Sequence, residues 1–252
     1  MNKYTLLIVS FLIFTTISFS QIHSGEVIYK IKERDSILQQ VLDSPEISSD
    51  VHALEYTKSL FSDVRRSFPY LNYRLSFTTQ EALFQVATTY MAGDAGMDIN
   101  KSLNMTNSNG IFYTNIVENM RLHERNYLDK DWLIKDKADV VEWEITNETK
   151  QIQGYTCYKA VADGPSDEIA WSEVIAWFAP DIPFQFGPLD YVGLPGLILE
   201  LDYGFYTFYA DKIDFSNQRI EIKRPTKGKL LNRKEYDKQI KEMTDRLKGG
   251  SR

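Results

Sequence analysis

The chain has 252 residues, with 29 basic and 35 acidic side chains, a formal net charge of −6, three histidines and one cysteine. A single cysteine excludes an intramolecular disulfide framework, so packing alone must hold the core. An acidic balance of this size argues against nucleic acid as a partner.

The first residues have the pattern of an export signal. Lys3 is the only charge before an apolar run over residues 6–14, which fades into Thr15, Thr16, Ile17 and Ser18. A charged start and a short apolar centre mark a secretion signal. Ser18 and Ser20 flank Phe19 in the small-x-small pattern of a cleavage site, so residues 1–20 are expected to be removed and the protein to begin at Gln21. The run is too short for a permanent span, and no later stretch reaches the roughly 20 apolar residues of a transmembrane helix. The expected location is the periplasm or the extracellular space, and no cysteine stands at the cleavage site to take a lipid. Residues 21–252 suffice for one substantial core in a single domain. Their charge is uneven: residues 219–252 carry 12 basic and 5 acidic side chains, a tail able to dock on the acidic body, on anionic lipid or on neither.

Residues 25–32 alternate apolar Val27, Tyr29 and Ile31 with polar neighbours, the two-residue period of a half-buried strand. Val51, Leu54, Phe61 and Val64 then recur at helical spacing between the N-cap candidates Ser49 and Asp50 and a stop at Pro69. Period two returns with Leu71, Tyr73, Leu75 and Phe77, and a strand at 83–89 completes a hairpin. Residues 91–109, rich in Gly, Asn, Asp and Ser, are expected to form a long loop. Short strands are expected at 111–117, 120–127, 140–146, 155–162, 174–178, 197–202, 205–209 and 219–223, several separated by turn residues such as Tyr203-Gly204. A helix over 233–248 closes the chain, with Asn232 and Glu235 at capping-box spacing and Tyr236, Ile240, Met243 and Leu247 as its apolar stripe. The expected fold class is mainly β (α+β). It has one large curved antiparallel sheet, half-barrel-like, with one or two helices packed on it and an amphipathic C-terminal helix.

Metal-binding patterns are lacking. His23, His52 and His123 fall in three separate elements, and Cys157 has no ligand-spaced neighbour, so no zinc site and no cofactor are expected. Scattered carboxylates leave calcium open, although no EF-hand loop is present. Cys157 sits mid-strand, where a free cysteine behaves as a small buried hydrophobe. A nucleophilic role would need a nearby cation, and Lys159 on the same strand face is the candidate. The carboxylate pairs Asp181 with Asp190 and Glu200 with Asp202 offer acid–base chemistry to a hydrolase, or are simply solvated. Lys229, Arg233, Lys234, Lys238 and Lys241 either face solvent or approach anionic headgroups.

Residues 177–202, WFAPDIPFQFGPLDYVGLPGLILELD, hold four prolines, at 180, 183, 188 and 195. Proline fixes φ and removes a donor, so the stretch before Leu197 must be a shaped connection and not an internal strand. Pro195-Gly196, preceded by Gly193 and Leu194, has the chemistry of a type II turn, with the glycine at positive φ. On one reading this turn sets the register of a core hairpin. On the other, Trp177, Phe178, Phe184, Phe186, Tyr191, Leu194 and Leu197 line the mouth of an apolar cavity under the concave sheet.

The segment GLPGLI at 193–198 resembles the signature of the GLPGLI family, exported proteins of unknown function found mainly in Bacteroidetes. WEIT from Trp143, IQGYTCYKA from Ile152, AWFAPDIP from Ala176 and Gly187-Pro188 extend the resemblance across residues 132–202. The acidic stretch 163–173 departs from relatives that carry a basic residue before the tryptophan strand. The resemblance implies export and supplies no reaction. The order of a strand, a helix and a long antiparallel meander also resembles the half-barrel of periplasmic carriers such as LolA, at the level of architecture alone. Together these lead to the expectation of a non-enzymatic envelope protein that binds a lipid or peptide ligand. The alternatives are a secreted hydrolase using carboxylates near Asp181 and Asp190, and an accessory partner of outer-membrane machinery.

Overall fold

The computed structural model describes residues 23–89, 99–138, 141–164 and 173–249. The expected export signal lies outside these residues, as do 91–98 of the expected loop and 165–172 of the acidic stretch.

One twelve-stranded sheet organises the molecule, with β1 (Ser24–Glu33) near its middle. On one side of β1 run β2 (Leu71–Thr78), β3 (Glu81–Thr89), β4 (Ile111–Asn115), β5 (Met120–Tyr127) and β6 (Lys130–Asp136), each antiparallel to the last. On the other side come β11 (Tyr206–Ser216), β10 (Leu197–Tyr203), β9 (Glu173–Ala179), β8 (Tyr155–Asp163) and β7 (Glu144–Ile152). The expected antiparallel sheet is present with one correction: β12 (Lys229–Asn232) adds to β6 in parallel, so the sheet is mixed. The sheet does not close, because β12 and β7 are its two edges.

Between β1 and β2 the chain forms α1 (Asp35–Leu42), α2 (Pro45–Ser48) and α3 (Val51–Ser67). Asp50 caps α3 by accepting from the backbone N–H groups of His52 at 2.8 Å and Ala53 at 3.2 Å. Phe61 and Val64 of α3 enter the main core, where the Phe61 ring meets Phe205 edge-on at 4.8 Å. The expected loop at 91–109 is corrected by α4 (Ile99–Met105), in which Leu103 is buried and Ile99 packs beside the core. Behind α4, the buried hydroxyls of Thr106, Ser108 and Tyr73 bond to one another at 2.6 and 2.9 Å. This polar knot fixes residues 106–110 to β2.

Two other expectations are corrected at the basic end. Residues 219–223 form no strand, because Ile222 packs beside Tyr113, Leu122 and Leu133 without pairing its backbone into the sheet. The strand at 130–136 was hidden by charges around its short apolar run Trp132-Leu133-Ile134, which is buried on both faces. The strand expected at 140–146 begins at Glu144 and continues through polar residues to Ile152, as suits an exposed edge. The basic tail lies along the acidic body: Arg224 pairs with Glu118, Lys227 with Asp131 at 2.9 Å, and Arg219 with Glu81 at 3.7 Å. Helix α5 (Arg233–Gly249) starts with the expected capping box, Asn232 and Glu235 exchanging two 3.0 Å bonds. Its Tyr236 packs on Trp132, Ile134 and Leu231, fastening the helix to β6 and β12. No helix among the described residues is long and apolar enough to cross a membrane.

Candidate functional site

The proline-rich connection 180–196 joins β9 to β10 and folds inward. Its backbone is secured by bonds from Leu197 N–H to Ile182 O at 3.0 Å, Ile198 N–H to Phe186 O at 3.0 Å and Gly193 N–H to Gln185 O at 3.3 Å. Trp143 Nε1 donates to Val192 O at 3.0 Å, and the buried Tyr29 hydroxyl donates to Ile198 O at 2.5 Å. Phe178, Phe184, Phe186, Leu194 and Leu197 are all buried in the main core, with Phe184 against Phe77 at 4.7 Å. These residues fill the space under the sheet with their own side chains.

The expected type II turn at Pro195-Gly196 is overturned. Gly196 does not take a positive φ; within this stretch Gly193, at φ 100°, and Leu189, at φ 60°, do. Glycine is required at 196 for a different reason: a Cβ there would lie 2.3 Å from the carbonyl oxygen of Ala179. The chain passes so close to the end of β9 that no side chain fits.

Trp177, half-buried, carries the Lys150 ammonium 4.1 Å above its ring, and Lys150 also pairs with Glu200 at 2.6 Å. Lys150 stands opposite Cys157 across the β7–β8 ladder. The expected cation beside Cys157 is therefore corrected, since Lys159 turns to Glu148 at 2.8 Å. Burial pushes the Cys157 thiol up to about 11, with Glu200 adding to the rise and Lys150 opposing it. A thiol held protonated is a poor nucleophile. At pH 8 the folded protein is expected to resist iodoacetamide while the urea-unfolded chain alkylates fully; equal rates in the two states would contradict this placement.

Of the carboxylate pairs, Asp181 is exposed, whereas Asp190 meets Arg121 at 3.5 Å. Glu200 is held by Lys150, and Asp202 accepts from the Thr207 hydroxyl at 2.5 Å with Arg34 at 3.8 Å. His23 and His52 are exposed and His123 is buried. Among the described residues no group of three or more His, Cys, Asp or Glu side chains could hold a metal ion. Of the basic residues near the C-terminus, Lys229, Lys234, Lys238 and Lys241 are exposed, while Arg233 is half-buried.

Arg233 belongs to a polar cleft of about 220 Å³. Leu189, Asp190 and Tyr191 of the connection form one wall; Phe112 of β4 with His123 and Arg125 of β5 form another. Tyr203 of β10 and Asn107 complete it, joined by a side-chain hydrogen bond. Five strands separate β5 from β10 in the sheet order, a distance of about 29 Å if the sheet were flat. Arg125 and Tyr203 line one small cleft, so the sheet curls strongly and its two limbs meet across the connection.

The cleft's electrostatics follow from this burial. His123 stacks on Phe112 at 3.9 Å and donates from Nε2 to Asn109 O at 2.9 Å. Burial, with Arg125 and Arg233 nearby, pushes its pKa down to about 3, so the ring is neutral. Tyr191 and Tyr203 are both raised, by burial first and by the Asp190 carboxylate further, and remain protonated donors. Asn104 Oδ1 accepts from Arg125 Nη2 at 3.2 Å and from Asn109 Nδ2 at 2.8 Å, setting both residues in place. Of the residues singled out in the sequence, Tyr191 from the expected ligand-binding set, Asp190 from the carboxylate pairs and Arg233 from the basic C-terminal group line the cleft; Asn107, Phe112, His123, Arg125 and Tyr203 had no motif to mark them.

Residues 166–200 match a family model described as a protein of unknown function (Porph_ging), a stretch that includes β9, the connection, the whole GLPGLI segment and the start of β10. No curated protein matches the chain. Among solved structures, PNGF-II in a P21 crystal form is similar at 14% identity and a TM-score of 0.49, over 86% of this chain and 32% of that one. PNGF-II in a C2 form gives 14% and 0.47 over the same shares. An uncharacterized conserved protein from Thermus thermophilus gives 4% and 0.36, over 85% of this chain and 93% of that one. The chain thus spans about a third of the length of PNGF-II.

Proposed function

We propose that this is an exported, non-enzymatic binding protein of the GLPGLI type, which holds a small ligand in the cleft between the connection and β4–β5. The observation that carries this reading is the convergence of Tyr191, Arg125, Tyr203 and Arg233, from four separate parts of the chain, on one cleft. Recognition sites combine an aromatic lining with a few well-placed polar groups, and Phe112, Tyr191 and Tyr203 beside Arg125 and Arg233 have that composition. The protonated Cys157 thiol and the engaged Glu200 and Asp202 carboxylates favour binding over hydrolysis. The export pattern at residues 1–20 supports an envelope or extracellular location. An open sheet filled on one side by helices is also the kind of scaffold that LolA-like carriers use.

Native mass spectrometry of the protein purified from its own host's envelope tests this. A bound small molecule is expected on the wild-type chain and on Trp177→Ala, and is expected to be lost from Tyr191→Ala. An empty protein would overturn the reading, and loss from Trp177→Ala alone would move the site to the Lys150–Trp177 surface.

A further inference from the structure

We propose that the cleft recognises an oxyanion head group, a carboxylate or phosphate on a small ligand, through the guanidinium groups of Arg125 and Arg233. This rests on the reading of the cleft as the binding site. Neither guanidinium is in an ion pair among the described residues. Arg125 donates once, to Asn104, and lies 5.1 Å from the Tyr127 ring centroid; its Nε is buried with no hydrogen-bond partner. Arg233 lies 6.0 Å from the Tyr236 ring centroid, and its backbone is fixed by the capped start of α5. Both side chains are half-buried, and a buried donor left without a partner, as Arg125 Nε is, is costly and calls for a group that completes it.

The rest of the cleft suits an anion. Among the described residues Asp190 is its one acidic side chain, and Arg121 at 3.5 Å offsets that charge, which leaves the two arginines as the local excess. The Tyr191 and Tyr203 hydroxyls remain protonated and able to donate. Guanidinium forks match carboxylate and phosphate oxygens, and stacking on an aromatic face holds them ready. The Phe112–His123 stack gives a flat, uncharged surface for the body of the ligand.

The test follows the arginine Nε–H resonances of the mature protein by NMR during titration with sodium phosphate, sodium benzoate and neutral benzamide. Saturable shifts of the Arg125 and Arg233 Nε–H signals with phosphate or benzoate are expected, with affinity weakened roughly tenfold or more in Arg125→Gln, read on the Arg233 signal, and in Arg233→Gln, read on the Arg125 signal. Whichever anion binds tighter distinguishes a phosphate from a carboxylate head group. Benzamide binding as tightly as benzoate, unchanged in both variants, would overturn the anion assignment while leaving the cleft a binding site. No shift with any of the three would overturn both.

Discussion

Gly196→Ala is expected to destabilise the protein by about 3 kcal/mol, the upper end of the usual cost of overpacking a core. The new Cβ would sit 2.3 Å from the Ala179 carbonyl oxygen, 2.6 Å from its carbon and 2.9 Å from Pro180 Cα. All three are backbone atoms, and those of Ala179 end a paired strand, with Leu197 opposite across β9 and β10, so no rotamer change relieves the contact. Relief requires β10 to move away from β9, which would also pull Leu197, Ile198 and Leu199 from the core. Gly154 is the internal control. It occupies the β7–β8 turn at φ 83° with no heavy atom within 4 Å of an added Cβ, so Gly154→Ala carries only the backbone term of about 1 kcal/mol. Urea unfolding of the two variants measures the difference, and equal midpoints would refute the close-approach account of Gly196.

Acidification from pH 7 to pH 5 is expected to cost about 2 kcal/mol of stability through His123 alone. Burial first, then the charges of Arg125 and Arg233, depress its folded pKa to about 3, against the hydrogen bond to Asn109 O that opposes the shift. In the unfolded chain the ring titrates near 6.5. The neutral ring therefore contributes stability that is fully present above that value. It is lost as pH falls toward 3, because over this window the unfolded state binds a proton that the folded state refuses. The sign is that of a buried base kept neutral. Comparing wild type with His123→Gln by urea unfolding at both pH values isolates the effect, since the variant lacks the titrating ring. Parallel pH profiles for the two proteins would show that His123 does not set the acid sensitivity.

Much of the scaffold was legible because its signals are local. Val27, Tyr29 and Ile31 announce β1 by alternation, Asp50 and Pro69 bracket α3, and Asn232 with Glu235 opens α5. Local signals failed where burial is set by distant partners. β6 shows only three apolar residues between charges, and its Leu128-Asp129 turn takes two positive φ values without a glycine to advertise them. α4 was obscured by residues that favour loops, and the packing of Ile99, Leu103 and Met105 on the core stabilises its short helix. Gly196 was marked correctly as a required glycine and for the wrong reason, since a steric limit imposed by β9 leaves no trace in the dipeptide Pro-Gly.

The cleft was the least legible feature. Tyr191 stood out through its proline-rich neighbourhood, and Arg233 was grouped with the exposed lysines of α5 because helical periodicity cannot reveal that β5 and Asp190 lie beside it. Arg125, His123 and Tyr203 belong to ordinary alternating strands. They become a site only because the sheet curls until β5 and β10 face one another, a property of the whole sheet and of the connection that spans it.

The most direct measurement is a high-resolution crystal structure of the protein purified from its own host without refolding. Density is expected for a small molecule between Tyr191 and the Phe112–His123 stack, with an oxygen-bearing head group within hydrogen-bond distance of Arg125 Nε and the Arg233 guanidinium. A cleft holding only water, or a ligand seated elsewhere on the sheet, would contradict it.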